Sequence, residues 1–181
     1  NIKVVNFNVG IYNPIESDSV LSKMKSYGYN SVRIVFNTNH SMNLERTEIS
    51  DEYIANFKHF VIIAKEKNIY VEVVSGFLPK DSVYYPINTS NNFEPYSYNQ
   101  YILDPDFIQY KKIYMTDLMN KLVEASFPFD NVLGWEIENE PYFDLTKKPF
   151  TLSTTILVSD GNYYSMVNQK SLMVDNALVN Y

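Results

Sequence analysis

Apolar and polar residues along this chain alternate between two periods, and the changes follow a regular order. Ile2, Val4, Val5, Phe7 and Val9 make a β-prone run from Ile2 to Val9, closed by Gly10 and the turn signal Asn13-Pro14. Helical spacing follows, with Val20, Leu21, Met24 and Tyr27 on one face, Ser17 or Asp18 as the expected cap and Gly28 at the expected C′ position. Asn30 to Phe36 reads as a second strand, and Ser50-Asp51 opens a second helix whose stripe is Tyr53, Phe57, Val61 and Ala64. A third strand spans Ile69 to Val74. After a long polar loop, Asp104-Pro105 supplies an N-cap with proline at N1, and Phe107, Tyr110, Tyr114, Leu118 and Leu122 continue as a helix that stops before Pro128. Asn131 to Glu138 reads as a fourth strand. Met166 to Tyr181, with Val174, Leu178 and Tyr181 at helical spacing, reads as a fourth helix.

Four βα units in strict alternation imply a parallel sheet with right-handed crossovers. A (β/α)₈ barrel takes about 250 residues, so four units in 181 residues amount to half of one with generous loops. The expected fold is therefore α/β, a parallel (β/α)₈ barrel of which residues 1–181 supply the first four units as a single domain. A fragment of a longer polypeptide, a half-barrel that pairs with another copy and an open four-stranded sheet all fit four units. An expected helix that runs off the end of the chain favours the first.

In a parallel barrel alternate residues of each strand face the helices and the barrel interior. In the fourth strand Leu133, Trp135 and Ile137 form an apolar set, whereas Gly134, Glu136, Glu138 and Glu140 form the other. Arg33 and Asn37 stand opposite Val32, Ile34 and Phe36 in the second strand, Glu72 opposes Val71 and Val73 in the third, and Asn6 and Asn8 share a parity in the first. An isolated charge on an interior face costs several kcal/mol. Arg33 is accordingly expected to pair with one or more of Glu72, Glu136 and Glu140.

The bulk numbers narrow the chemistry. The net charge of −6 lacks the clustered Lys and Arg of a nucleic-acid footprint. No apolar run approaches the roughly 18 to 20 residues that span a bilayer, so neither nucleic acid nor membrane is an expected partner. With no cysteine and two isolated histidines, no metal cluster is expected. Five scattered glycines form neither a dinucleotide fingerprint nor a phosphate loop, and no Gly-x-Ser-x-Gly elbow is present. No cofactor is expected. No basic-then-apolar leader precedes the first strand, so a secretion signal is expected to have been removed or never present.

The run Trp135-Glu136-Ile137-Glu138-Asn139-Glu140-Pro141 resembles the fourth-strand signature of clan A glycoside hydrolases, family five above all, in which Asn-Glu-Pro closes the strand. Tyr29-Asn30-Ser31-Val32-Arg33-Ile34 is similar to that family's second strand, where an arginine supports the catalytic carboxylates. The resemblance implies a retaining β-glycoside hydrolase acting on an oligo- or polysaccharide, with Glu140 as general acid/base, Asn139 on the sugar 2-hydroxyl and Arg33 in support. Glu136 and Glu138 are supporting carboxylates, since a carboxyl crowded by others in a partly dry cleft holds its proton toward neutral pH. The family's nucleophile follows its seventh strand, which lies outside these four units, so the C-terminal half of the barrel is an expected partner, in the same chain or a second one. The family usually carries a histidine at the end of strand three, where this chain has Val74-Ser75-Gly76-Phe77. His40 in the loop after strand two is a candidate for sugar contact, and His59 within a helix is read as structural.

Sugar faces stack on aromatic rings, and the loops supply Tyr12, Phe77, Tyr84, Tyr85, Tyr96, Tyr142 and Phe143. Tyr142, next to the motif, is the preferred candidate. Polysaccharide degradation outside the cytoplasm, secreted or periplasmic, is the expected setting, with a cytoplasmic one left open. Two readings remain at this point: a hydrolase whose nucleophile lies outside this segment, and a non-catalytic half-barrel that binds glycans or serves assembly.

Overall fold

The structure is a computed structural model and describes residues 3–7, 12–85, 91–138 and 142–180. Contacts group the chain into two compact units, residues 1–83 with 115–139 and residues 84–114 with 140–181.

The first unit is built on one parallel sheet in the order β1 (Lys3–Phe7), β2 (Ser31–Phe36), β3 (Tyr70–Ser75), β4 (Val132–Glu136). Sequence order and spatial order coincide, as the βα alternation requires. In β2 buried and half-buried residues alternate strictly, so Val32, Ile34 and Phe36 sit in the core while Arg33 and Val35 face the other way. The helix α2 (Asp51–Glu66) starts where the sequence places it: Ser50 Oγ accepts from Tyr53 N at 3.2 Å, and Tyr53, Phe57, Val61 and Ala64 are all buried. Phe57 is the centre of an aromatic cluster, 5.2 Å from Phe36, 4.9 Å from Phe127 and 6.1 Å from Trp135 by ring centroids. Buried Asn131, in the turn before β4, donates Nδ2 to the carbonyl of Ile69 at 2.9 Å and so ties the start of β4 to the approach of β3.

The helix α1 (Pro14–Ser26) begins earlier than Ser17 or Asp18 would place it. Asn13 Oδ1 accepts from Ile15 N at 3.0 Å and Glu16 N at 3.2 Å, and Pro14 occupies the first helical position, so the pair acts as a cap. Gly28 follows the C-cap Tyr27 with φ at 80°, the left-handed conformation expected of it. Of the expected stripe Leu21 and Met24 are buried, while Val20 and Tyr27 are exposed.

The helix α4 (Pro105–Glu124) is capped as read, with Asp104 Oδ1 accepting from Asp106 N at 3.1 Å. Leu118 and Leu122 are buried in the first unit and Phe107 and Tyr114 in the second. The loop before it holds a six-residue helix, α3 (Tyr98–Leu103), that the sequence reading passed over.

The second unit also contains an antiparallel hairpin, β5 (Thr155–Leu157) and β6 (Tyr163–Ser165), and the helix α5 (Lys170–Asn180). The hairpin turns at Asp160-Gly161, with Gly161 at φ 81°. Met166, assigned by periodicity to the start of the last helix, instead leaves β6 and is buried with Phe150, Ile156, Val158, Tyr164 and Met173. Fully buried Asn99 organises the segment after the motif: its Nδ2 donates to the carbonyls of Asp144 and Lys148, both at 2.8 Å, and its Oδ1 accepts from Asp144 N at 2.9 Å.

Phe57→Ala is expected to cost about 3–5 kcal/mol of stability, measured from the urea midpoint. A loss below about 1 kcal/mol would show that the cluster collapses onto the space and that Phe57 is not its centre.

Candidate active site

The parallel register brings three charged side chains to one face of the first unit's sheet. Arg33 stands beside Glu72 in the β2–β3 pairing, and Glu72 stands beside Gly134 and Val74 beside Glu136 in the β3–β4 pairing. Arg33 Nε donates to Glu136 Oε1 at 2.9 Å and Arg33 Nη2 donates to Glu136 Oε2, a two-pronged contact that fits the planar guanidinium to the carboxylate. The pairing expected of Arg33 is thus made with Glu136. The arginine side chain is 20% exposed and the glutamate 36%, so the pair is partly shielded from water.

Glu72 completes the cluster. Its carboxyl is hydrogen-bonded to that of Glu136, and this bond, with burial and the Glu136 charge added, holds its pKa above the ordinary range against the opposing pull of Arg33. Glu136 moves the other way: the hydrogen bonds from Arg33 hold its carboxyl below the ordinary range, with burial opposing and the Glu72 bond assisting. Two carboxyls in hydrogen-bond contact need a proton between them. The opposite directions of the two shifts make Glu72 the stronger proton holder of the pair and Glu136 the partner of Arg33.

Buried Ser75, at the end of β3, donates to the carbonyl of Glu136 at 3.1 Å and to that of Ile137 at 3.3 Å. It holds the backbone where β4 ends. Sequence reading noted Val74-Ser75-Gly76-Phe77 only for the histidine it lacks. The usable signal was a lone hydroxyl on the parity of Val71 and Val73. Half-buried Glu138 lies in the bend two residues past β4. Asn139 and Glu140, the expected sugar ligand and acid/base, lie outside the described residues.

The loop after β2 is tied to the loop after β3. Arg46 donates to the carbonyl of Asn39 at 2.8 Å and to that of Lys80, Asn39 Oδ1 accepts from Lys80 N at 2.8 Å, and Thr38 Oγ1 donates to the carbonyl of Phe77. His40 is exposed on this rim, its backbone N–H held by Asn37 Oδ1 at 3.2 Å. The His59 ring nitrogen Nδ1 lies 2.6 Å from the Tyr12 hydroxyl, and burial pushes Tyr12 up to about 12.

The loop aromatics divide by packing. Tyr84 is buried edge-on against Tyr114, Phe143 packs against Phe150, and Tyr85 lies stacked on Tyr96 and edge-on to Phe107. Tyr142 is 55% exposed with its ring 4.3 Å from that of Tyr98. Among the described residues no group of three His, Asp or Glu side chains is placed to hold a metal ion, and no helix among them is long and apolar enough to cross a membrane.

The chain matches the family profile described as Cellulase (glycosyl hydrolase family 5) over residues 1–173. Among solved structures it is similar to exo-beta-1,4-mannosidase Op5Man5 from Opitutaceae bacterium strain TAV5, with a TM-score of 0.54 and 15% identity over 77% of this chain and 24% of that one. It is also similar to a GH5_18 protein from Bifidobacterium longum subsp. infantis, with a TM-score of 0.51 and 20% identity over 77% of this chain and 33% of that one. These likenesses are of fold, and the chain spans about a quarter to a third of the length of these two proteins. No curated protein matches it. The parallel sheet β1 to β4 is part of a (β/α)₈ barrel, of which this chain carries the first four strands.

Arg33→Met leaves Glu136 and Glu72 facing each other without a cation, so both folded-state pKa values rise above their unfolded ones. For an acid this means stability that falls as pH rises through and above the ordinary glutamate range. Urea unfolding is expected to show a larger loss at neutral pH than at a pH of about 4. Equal losses at both would mean that the arginine acts there through packing alone.

Proposed function

The chain belongs to glycosyl hydrolase family 5, and from that premise we propose that it supplies the acid/base half of a retaining β-glycosidase acting on a β-linked oligo- or polysaccharide. Glu140 donates its proton to the glycosidic oxygen while a second carboxylate, from the C-terminal half of the barrel, attacks the anomeric carbon. In the second step Glu140, now ionised, takes a proton from the water that releases the sugar. Asn139 hydrogen-bonds the 2-hydroxyl, Tyr142 and His40 contact substrate, and Glu138 and Glu136 bias the pKa of the acid by proximity. Such a polymer-degrading role suits a secreted or periplasmic setting, because a polymeric substrate does not cross the cell membrane.

The observation that carries this reading is the Arg33–Glu136–Glu72 cluster. It occupies one parity of three consecutive strands and ends at Glu136, four residues before Glu140 in the sequence. A carboxyl placed among other carboxyls in a partly shielded site keeps its proton toward neutral pH. The family membership and the run Glu138-Asn139-Glu140-Pro141 support the same assignment.

In the full-length polypeptide that carries this chain, Glu140→Ala is expected to lower polysaccharide turnover by a factor on the order of 10²–10⁴. Azide should restore turnover of activated aryl glycosides, whose leaving groups need no acid. Unchanged turnover in the variant would remove Glu140 from the mechanism, and a full-length protein with no hydrolytic activity would favour a glycan-binding role.

A further inference from the structure

In an extended strand successive carbonyls point to opposite sides, each toward a neighbouring strand. At the end of β4 two successive carbonyls converge instead: those of Glu136 and Ile137 lie 3.1 and 3.3 Å from the one hydroxyl of Ser75. Such convergence requires the chain to leave the extended form there, and Ile137 and Glu138 do form a bend. The last registered pair between β3 and β4 is Val74 beside Glu136. The hydroxyl of the next residue on β3 thus takes over where the backbone ladder stops.

Ser75 has the parity of Val71 and Val73 and, like them, is fully buried. A hydroxyl in that apolar row costs free energy unless it is bonded. Its single proton is committed to the two β4 carbonyls. Glu136 is held at its other end as well, since its carboxylate takes both prongs of Arg33. The last residue of β4 is therefore fixed by its main chain from β3 and by its side chain from β2. Ile137 precedes Glu140 by three residues in the sequence, which is at most about 10 Å of chain. Over so short a tether, a change of direction at Glu136 and Ile137 is passed on to the carboxyl that follows.

We infer that Ser75 is a positioning residue for the acid/base carboxyl: by drawing the carbonyls of Glu136 and Ile137 together, it sets the direction in which the chain leaves β4. This rests on the glycosidase reading above, in which Glu140 protonates the leaving group. Ser75 itself touches neither the sugar nor the transferred proton. A displacement of about 1 Å costs a reacting group on the order of a hundredfold in rate, so one hydroxyl is enough to govern the step.

The test is steady-state kinetics of the full-length polypeptide that carries this chain, on β-cellobiosides and β-mannobiosides with two leaving groups. Dinitrophenolate departs without a proton, whereas phenolate needs the acid. Ser75→Ala is expected to lower kcat/KM on the phenyl glycoside about tenfold to a hundredfold and to leave it near the native value on the dinitrophenyl glycoside. Equal losses on both show a general loss of structure and overturn the inference. Native values on both overturn it also, and in either case the glycosidase reading stands. Should Ser75→Ala not fold, Ser75→Cys, close in size and a weaker donor, carries the same comparison with the same outcomes. A native protein that hydrolyses none of these glycosides overturns the inference together with the reading it rests on.

Discussion

A single guanidinium on β2, that of Arg33, answers for two carboxyls that the next two strands bring to the same sheet face. The parallel register leaves little choice: once Val32, Ile34 and Phe36 are buried under α2, Arg33 must point to the opposite side, and Glu72 and Glu136 share that side. Three charges there would be costly if unpaired. The arginine pairs with Glu136 and holds its pKa down, while Glu72, beside Glu136, has its pKa raised. The core and the charged face are two outcomes of one alternation, and neither changes without the other. A one-residue slip of β2 would bury Arg33 and expose Phe36.

The same alternation made much of the first unit legible. Long elements with a clear period and a side-chain cap, α2 and α4 above all, are read to within a residue or two, because the cap and the stripe agree. Asn13-Pro14 was ambiguous in a physical sense: Asn before Pro both ends a strand and caps a helix, and only the N–H groups of Ile15 and Glu16 decide. The pairing of Arg33 was legible from parity. The opposite pKa shifts of Glu72 and Glu136 were not, since they depend on side-chain placement that parity does not give.

The second unit was read less well. At six residues α3 is too short for a helical period to show, and it is held by Ser97 and by tertiary contacts through Asn99 and Gln100. The β5–β6 hairpin carried a usable signal in Asp160-Gly161 between β-prone runs, but Met166 and Met173 belong to one core and mimic a continuous helix. The tyrosines could not be sorted from sequence because exposure is a tertiary property. Tyr84 and Tyr96 are alike in the chain, yet one is buried against Tyr114 and the other is partly exposed and stacked on Tyr85.

The idea that one arginine sets the two carboxyls apart can be tested directly by carboxyl-carbon NMR titration of Glu72 and Glu136. The expected result is a Glu72 midpoint above that of free glutamate and a Glu136 midpoint below it, with each curve responding to the other's titration. Two independent curves, both centred on the ordinary glutamate value, would contradict it.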